Sequence, residues 1–329
     1  ISSFIVNSNP KIKTVFEHWK EFSSDSFLSK LQKNDELKSA VLEASPWVFE
    51  AENEEEQKHR LGVMFDLNKL SVDKSASLGS LENSQLPSGA WPWFEGMRED
   101  EYTTQKIVLG FARLNDRGII SIKRDRYLNN MIRKAINYLD NEIIEDYSNL
   151  SKNSPQTLSS DNLSSSKIQY LYLRSLLMND FPLKKGTDAF KYYVSQARKY
   201  WLKKNNYLQA MIAISLNRLS YRNDAEGIIR SLEERSISNE EMGMYWRQNM
   251  GWYWYEAPIE TQAMIIEAFM EIQNQEDLIN RMKVWLIKQK QTQSWSTNSA
   301  TAEAVFALLK GNGNSNINNS EDVEIKLAG

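Results

Sequence analysis

The chain has 329 residues, 41% of them hydrophobic, with a formal net charge of −3 and no cysteine. This length and composition predict a folded chain with a substantial core, and the weakly acidic charge gives a nucleic-acid partner no electrostatic support. The absence of cysteine excludes disulfides, thiolate nucleophiles and thiolate metal sites, and two histidines are too few for an all-histidine metal site.

The N-terminal part of the chain has the least regular pattern. Residues 1–37 space their apolar side chains irregularly and are predicted to form one or two short helices, followed by a connector around Pro46. A helix is predicted from residue 52 to about residue 83, because acids stand in its first turns and apolar residues follow at helical spacing. Acids at a helix start are normally solvated, so they do not indicate a Ca²⁺ or Mg²⁺ site.

From residue 100 onward, helices that are apolar on nearly all faces alternate with helices that carry one apolar stripe. The nearly apolar helices are predicted at 103–114, 168–178 and 207–219 and from Thr261 and Thr301 onward. The one-stripe helices are predicted at 127–144, 189–203, 225–232 and 278–289. A Ser- and Asn-rich segment, 149–167, is predicted to be a loop. No apolar run reaches the ~20 residues of a membrane-spanning helix, so we predict no membrane insertion by this segment.

This alternation predicts an all-α fold in two layers. A helix that is apolar on every face must be surrounded by other elements, and an inner ring of helices wrapped by an outer ring is the simplest arrangement that provides this. An open solenoid of helical hairpins also alternates, but both of its layers usually keep a solvated face. We predict an α/α toroid of about ten to twelve helices over residues 1–310. Residues 311–329 are predicted to be a linker with a short β-like tail that begins a following β-domain.

An internal repeat supports helical hairpins as the building unit. Three of the predicted apolar helices begin with a threonine and continue with apolar residues, and each follows a turn that contains tryptophan. The pairs are Trp91 with Thr104, Trp252 with Thr261, and Trp295 with Thr301. Self-similarity of this kind is the sequence signature of a repeat architecture.

The tryptophan turns also carry carboxylates, and together these residues form the candidate site. The members are Trp91, Trp93, Glu95, Trp246, Trp252, Trp254, Glu256 and Glu260, with Asp100 beside the first group. In a toroid, turns that precede inner helices would gather at one mouth of the ring. Stacked tryptophans beside carboxylates suit a glycan-cleaving cleft, so a glycosidase or lyase is one interpretation. Aromatic wedges that hold successive hairpins together are the other, and the equivalent placement of each tryptophan favours it.

Several strings in the chain resemble a known family. They are GAWPWF at 89–94, MGMYW at 242–246, WYWYEAPIETQ at 252–262 and WLIKQKQTQSW at 285–295. These strings resemble the thioester-type domain of large bacterial alpha-2-macroglobulin-like proteins, particularly those of Bacteroidetes, and the resemblance covers nearly the whole chain. Terpenoid cyclases and prenyltransferases share the Gln-rich tryptophan turns and the toroid shape. The chain, however, has no evident Asp-rich ionising motif and no zinc-binding cysteine.

The resemblance implies a function but also a departure from the family. The family is associated with inhibiting or trapping proteases at the cell envelope, and many members form an internal thioester through a Cys-Gly-Glu-Gln motif. This chain has no cysteine, so covalent capture by a thioester is excluded. The resemblance therefore implies a non-covalent, non-enzymatic domain without cofactor or metal, located in the periplasm or at the cell surface. Its implied partners are other domains of the same longer chain and a protease.

Overall fold

The computed structural model describes residues 67–116, 118–152, 155–247, 257–292 and 297–309. Helices dominate these residues, which confirms the predicted all-α class. The chain divides into two compact units, one up to Tyr138 and the other from Leu139 onward. The short helices predicted in residues 1–37, the connector around Pro46 and the β-like tail in 311–329 lie outside the described residues.

The described residues of the first unit form two helices, a small hairpin and the start of a third helix. Its elements are α1 (Leu67–Ser84), β1 (Trp91–Pro92), β2 (Glu99–Asp100), α2 (Glu101–Asp116) and α3 (Arg126–Lys152), the last of which continues into the second unit. Strands β1 and β2 pair antiparallel, with Trp91 opposite Asp100. This hairpin, which was predicted only as a turn, leads directly into helix α2.

The described residues of the second unit form a succession of helices with one further hairpin. Its elements are α4 (Pro155–Ser159), α5 (Ser165–Leu177), α6 (Thr187–Tyr200) with a 3₁₀ turn (Trp201–Lys203), α7 (Asn206–Arg218), α8 (Arg222–Glu234), β3 (Ile237–Asn239), β4 (Gly243–Tyr245), α9 (Pro258–Ile272), α10 (Glu276–Thr292) and α11 (Asn298–Leu309). Strands β3 and β4 pair antiparallel and were not predicted.

The helices of the second unit form two layers. Helices α5, α7, α9 and α11 make an inner row in which each packs on the next, and α6, α8 and α10 each pack on the two inner helices that flank them in the chain. Every residue from Tyr207 to Leu216 in α7 and from Glu260 to Phe269 in α9 is buried. Helix α6 instead buries one stripe, as predicted. The alternation read from the sequence therefore corresponds to this layering.

The predicted loop at 149–167 is wrong for much of its length. Helix α3 continues to Lys152, the short helix α4 follows, and α5 begins at Ser165. The polar side chains that indicate a loop here act as local caps, because the Ser164 hydroxyl accepts a hydrogen bond from the Lys167 backbone N–H at 3.4 Å. The Asn162 amide donates to the Thr157 carbonyl at 2.6 Å. Ser and Asn favour helix ends as strongly as loops, and composition alone does not separate the two.

The tryptophan turns have a common structure in the two units. The Trp91 indole N–H donates to the Leu81 carbonyl in the last turn of α1, and the Trp246 indole N–H donates to the Leu232 carbonyl in the last turn of α8, both at 2.8 Å. Each tryptophan therefore donates to a carbonyl in the last turn of the preceding helix, which also accepts a local bond from Ser84 Oγ or from the Arg235 N–H. Trp252 and Trp295, which the sequence alignment placed at such turns, lie outside the described residues.

Two of the three threonines of the repeat have the same role, whereas the third, Thr301, is exposed. The hydroxyl of Thr104 donates to the Asp100 carbonyl at 2.8 Å, and that of Thr261 donates to the Ala257 carbonyl at 2.7 Å, each four residues back in the chain. Both bonds lie at the first turn of a helix, where the hydroxyl bonds to a backbone carbonyl instead of to water. The buried threonine thus lets a polar helix start enter the core.

Two glycines allow the turns to approach a neighbouring helix closely. Gly89 and Gly243 have positive φ values of 94° and 76°, and an added Cβ would collide with the backbone carbonyls of Lys134 and Arg281 respectively.

Gly243→Ala should therefore lower the free energy of unfolding by more than ~1 kcal/mol, since strain and overlap add. Gly227→Ala is the matched control, because Gly227 lies inside α8 with open space around it and alanine should stabilise the helix by ~0.5 to 1 kcal/mol. Equal effects of both changes in chemical denaturation would contradict this account.

Candidate functional site

The first group of predicted site residues lies around the β1–β2 hairpin. Trp91 is buried, with only 1% of its surface exposed, and its backbone N–H donates to the Thr104 hydroxyl at 2.9 Å. Trp93, two residues later, is 55% exposed, and Glu95 is exposed as well. Neighbouring tryptophans of the predicted site therefore differ in role, because Trp91 anchors the hairpin and Trp93 faces solvent.

The loop between β1 and β2 presents a group of large apolar side chains, which we call the aromatic hairpin (residues 93–97). Trp93, Phe94 and Met97 are each more than half exposed. The Trp93 and Phe94 rings meet edge to face, with centroids 6.2 Å apart and planes at 78°. A tight turn holds them, in which the Met97 N–H donates to the Phe94 carbonyl at 3.1 Å, and Gly96 supplies the positive φ that this turn requires.

The second group of predicted site residues lies before and within α9. Trp246 is buried, and its ring lies 6.1 Å from that of Phe269, centroid to centroid. Glu260 is buried in the first turn of α9, where the positive end of the helix dipole favours a carboxylate. The remaining members, Trp252, Trp254 and Glu256, lie outside the described residues. The shared mouth of the tryptophan turns stays a prediction.

A buried ionic network joins three inner helices and was not predicted. Arg218, at the end of α7, donates to both carboxylate oxygens of Glu271 in α9, at 2.8 and 2.6 Å. The Tyr172 hydroxyl of α5 donates to Glu267 at 2.7 Å, and Glu267 lies 3.8 Å from the Arg218 guanidinium. Burial alone would lower the pKa of Arg218, but the bonds to Glu271 and the nearby Tyr172 and Glu267 raise it. The guanidinium therefore stays charged.

A second polar cluster connects α3 and α5. The Tyr170 hydroxyl donates to Asp140 at 2.7 Å, and the Arg174 Nε lies 3.3 Å from the same carboxylate oxygen. Arg174 is fully buried and also donates to the Phe181 carbonyl at 2.9 Å. Burial raises the pKa of Asp140, against the opposing effects of Arg174 and the Tyr170 bond. Burial and the neighbouring carboxylate also raise the pKa of Tyr170.

One sequence signal could have located the first of these clusters. Glu267 is a charged residue in the middle of the otherwise apolar run of α9, and a buried carboxylate needs a cation or hydrogen-bond donor. Its partners Tyr172 and Arg218 lie 95 and 49 positions away in the chain, so their pairing depends on which helices are neighbours. That information is not contained in the periodicity of any single helix.

The chemistry of these groups is that of structural pairing. In each cluster the carboxylates face a guanidinium and a phenol within the protein, as buried charges require.

Among the described residues, no three His, Asp or Glu side chains converge in a way that could hold a metal ion. No helix of the described part is long and apolar enough to span a membrane. A comparison of the chain with models of known families and with curated proteins finds no match.

The Asp140 cluster predicts a pH dependence of stability. Because the folded-state pKa of Asp140 lies above its ordinary value of 3.8, the folded state keeps this proton where the unfolded chain releases it. The stabilising contribution of the protonated form is complete below pH 3.8 and is lost as the pH rises through the folded-state pKa. The difference in unfolding free energy, wild type minus Asp140→Asn, should fall as the pH is raised from 3.8 and then level off. A difference that rises or stays constant in urea titrations would contradict the prediction.

Proposed function

We propose that the chain is a non-enzymatic, non-covalent interaction domain of an alpha-2-macroglobulin-like envelope protein that inhibits or traps endopeptidases. The observation that supports it most is the two-layer array of helical hairpins in the second unit, in which the central parts of the inner helices α7 and α9 are buried on every face. Such an array is a rigid scaffold whose function resides in the turns that it presents. Its proposed location is the periplasm or the cell surface, and its partners are other domains of the same longer chain and a protease.

The placement of the described carboxylates supports an interaction domain over a glycosidase. Acid and base groups of a glycosidase face each other across a cleft at roughly 5 to 10 Å. Here Glu95 is exposed at the apex of a hairpin, while Glu260 is buried in a helix start. The buried Glu267 and the half-buried Glu271 are engaged by Tyr172 and Arg218. A glycan hydrolase activity that disappears in Glu256→Gln would overturn this proposal and establish the alternative.

Binding to active-site-blocked endopeptidases tests the proposed function directly. The chain would be mixed with a panel that covers serine, cysteine and metallo-endopeptidases, and complexes would be followed by co-elution in gel filtration. We expect a complex with at least one class that dissociates fully in denaturant, because no cysteine is present to form a covalent bond. A denaturant-resistant adduct would contradict the proposal. The absence of a complex with every class at ~100 μM would also contradict it, because the free energy of binding would then be weaker than ~5 kcal/mol.

We also propose that the inner helices close into the α/α toroid. The absence of cysteine allows two spin labels to be placed cleanly, at Thr103 in helix α2 and Thr301 in α11. Neighbouring helices lie about 8 to 10 Å apart, so ring closure should bring these labels within about 25 Å of each other. An open row with three inner helices between them would separate the labels by more than ~32 Å. Pulsed electron spin resonance distinguishes the two distances, and the longer one would favour a solenoid.

A further inference from the structure

The aromatic hairpin is built for contact with a partner. Within five residues it exposes Trp93 by 55%, Phe94 by 67% and Met97 by 51%. Trp and Met are enriched at protein interfaces, and an exposed apolar group of this kind on a soluble domain marks an interaction site. The β1–β2 pairing and the buried Trp91 beneath it fix the geometry, so binding requires little ordering of this loop.

The charges around the hairpin define the chemistry of the partner. Glu95 stands at the apex of the turn, between Phe94 and Gly96, and residues 93–101 contain four acids and a single base, Arg98. An anionic bilayer would repel this group of carboxylates, although Trp and Phe by themselves suit an interface. A sugar prefers a flat stacking platform, whereas Trp93 and Phe94 meet at 78° and form a corner. A cationic side chain of a protein suits both features, because it can contact the Trp93–Phe94 corner and pair with the Glu95 carboxylate.

We propose that the aromatic hairpin binds an arginine side chain of a partner protein. A guanidinium stacks on aromatic faces and is weakly hydrated, so the Trp93–Phe94 corner can receive it by cation–π contact while Glu95 pairs with its charge. Lysine would pair with Glu95 as a point charge but would gain less from stacking. This inference rests on the proposed interaction function, because it names the partner group that the domain recognises.

Titration with a matched set of blocked pentapeptides tests the arginine site. The peptides Gly-Arg-Leu-Arg-Gly, its lysine version and its citrulline version keep length and shape while changing charge and planarity. We expect the indole resonance of Trp93, assigned by its loss in Trp93→Phe, to shift with arginine at concentrations at least ~5-fold lower than with citrulline, since both the ion pair and the cation–π contact need charge. The lysine peptide should shift the resonance at concentrations between those needed for the arginine and citrulline peptides. Equal titration by the arginine and citrulline peptides would overturn the proposal.

Variants of exposed residues locate the site without threatening the fold. Glu95→Gln and Phe94→Ala should each weaken arginine-peptide binding at least ~5-fold, because each removes one of the two contacts. Tyr127→Ala is the matched control, since Tyr127 is an aromatic residue of the same unit that is 77% exposed. It should leave the titration unchanged. Unchanged binding in Glu95→Gln and Phe94→Ala, or a Trp93 shift produced instead by neutral disaccharides or by phosphatidylglycerol vesicles, would overturn the arginine site.

The endopeptidase assay separates this inference from the proposed function. If Phe94→Ala and Glu95→Gln lose the arginine peptide and also lose the protease complex, the hairpin is the contact for the protease. If the protease complex forms equally well with both variants and no arginine peptide binds, the inference fails while the proposed function stands. If arginine peptides bind through Glu95 and no endopeptidase co-elutes, the hairpin site stands and the protease function fails.

Discussion

Replacing Trp91 by alanine should lower the free energy of unfolding by about 3 to 5 kcal/mol, a large part of the ~5 to 15 kcal/mol typical of a domain. The ring is 1% exposed, so truncation leaves a cavity that the surroundings fill only in part. The Leu81 carbonyl also loses the indole N–H that it accepts at 2.8 Å. Thermal and chemical denaturation would measure the change.

Trp93→Ala is the matched control for this prediction. It removes the same kind of ring two residues later in the chain, from a side chain that is 55% exposed. The free energy of unfolding should therefore change by no more than ~0.5 kcal/mol. Trp91→Phe guards against a variant that does not fold, because it keeps an aromatic ring and loses the indole N–H. It should lower stability by about 1 to 3 kcal/mol. Unchanged melting of both Trp91 variants would end the structural interpretation of the tryptophan turns.

Breaking the buried network should have an effect of similar size. Arg218→Ala would leave Glu267, 2% exposed at its side chain, without the cation that lies 3.8 Å away, and would remove both bonds to Glu271. Loss of one partner of a buried ion pair commonly costs ~3 to 5 kcal/mol, since a charge remains uncompensated. Denaturant titration at neutral pH would measure the loss.

A surface pair provides the comparison for Arg218. Arg222 and Glu226 form an i,i+4 pair on α8 with exposed side chains, 2.8 Å apart, and Arg222→Ala should change stability by no more than ~1 kcal/mol. The triple change of Arg218 to Met with Glu267 and Glu271 to Gln removes all the charges of the network together. It should recover part of the loss, because no buried ion is left alone. A triple variant that is less stable than Arg218→Ala would show that the network stabilises the fold by attraction and does not merely balance its own charges.

The helical part of the fold could be predicted because periodicity reports burial. Helix α9 is apolar on every face in the sequence and buried on every face in the structure, and the one-stripe pattern of α6 corresponds to a single buried stripe. The two hairpins could not be found this way. Strands β1 and β2 are two residues long and β3 and β4 three, too short for an alternating pattern to appear.

The candidate site was only partly predictable for a related reason. The sequence identifies Trp91 and Trp93 as members of one turn but contains no signal that one is buried and the other exposed. That difference depends on the β1–β2 register and on the indole bond to Leu81, both of which are tertiary features. The network around Arg218 shows the same limit, because its members come from three helices separated by dozens of residues.

The Arg218 network also fixes where three helices stand along their axes. Burial of apolar surface is non-directional, so the faces of α5, α7 and α9 do not by themselves define an axial position. Hydrogen bonds require defined distances and angles, and a slip of one helical turn, ~5.4 Å, would break every bond from Arg218 and Tyr172. The three helices are thus pinned in one register and should open as a single cooperative unit. Their slowest amide protons should exchange with a common free energy, although the helices are far apart in the chain.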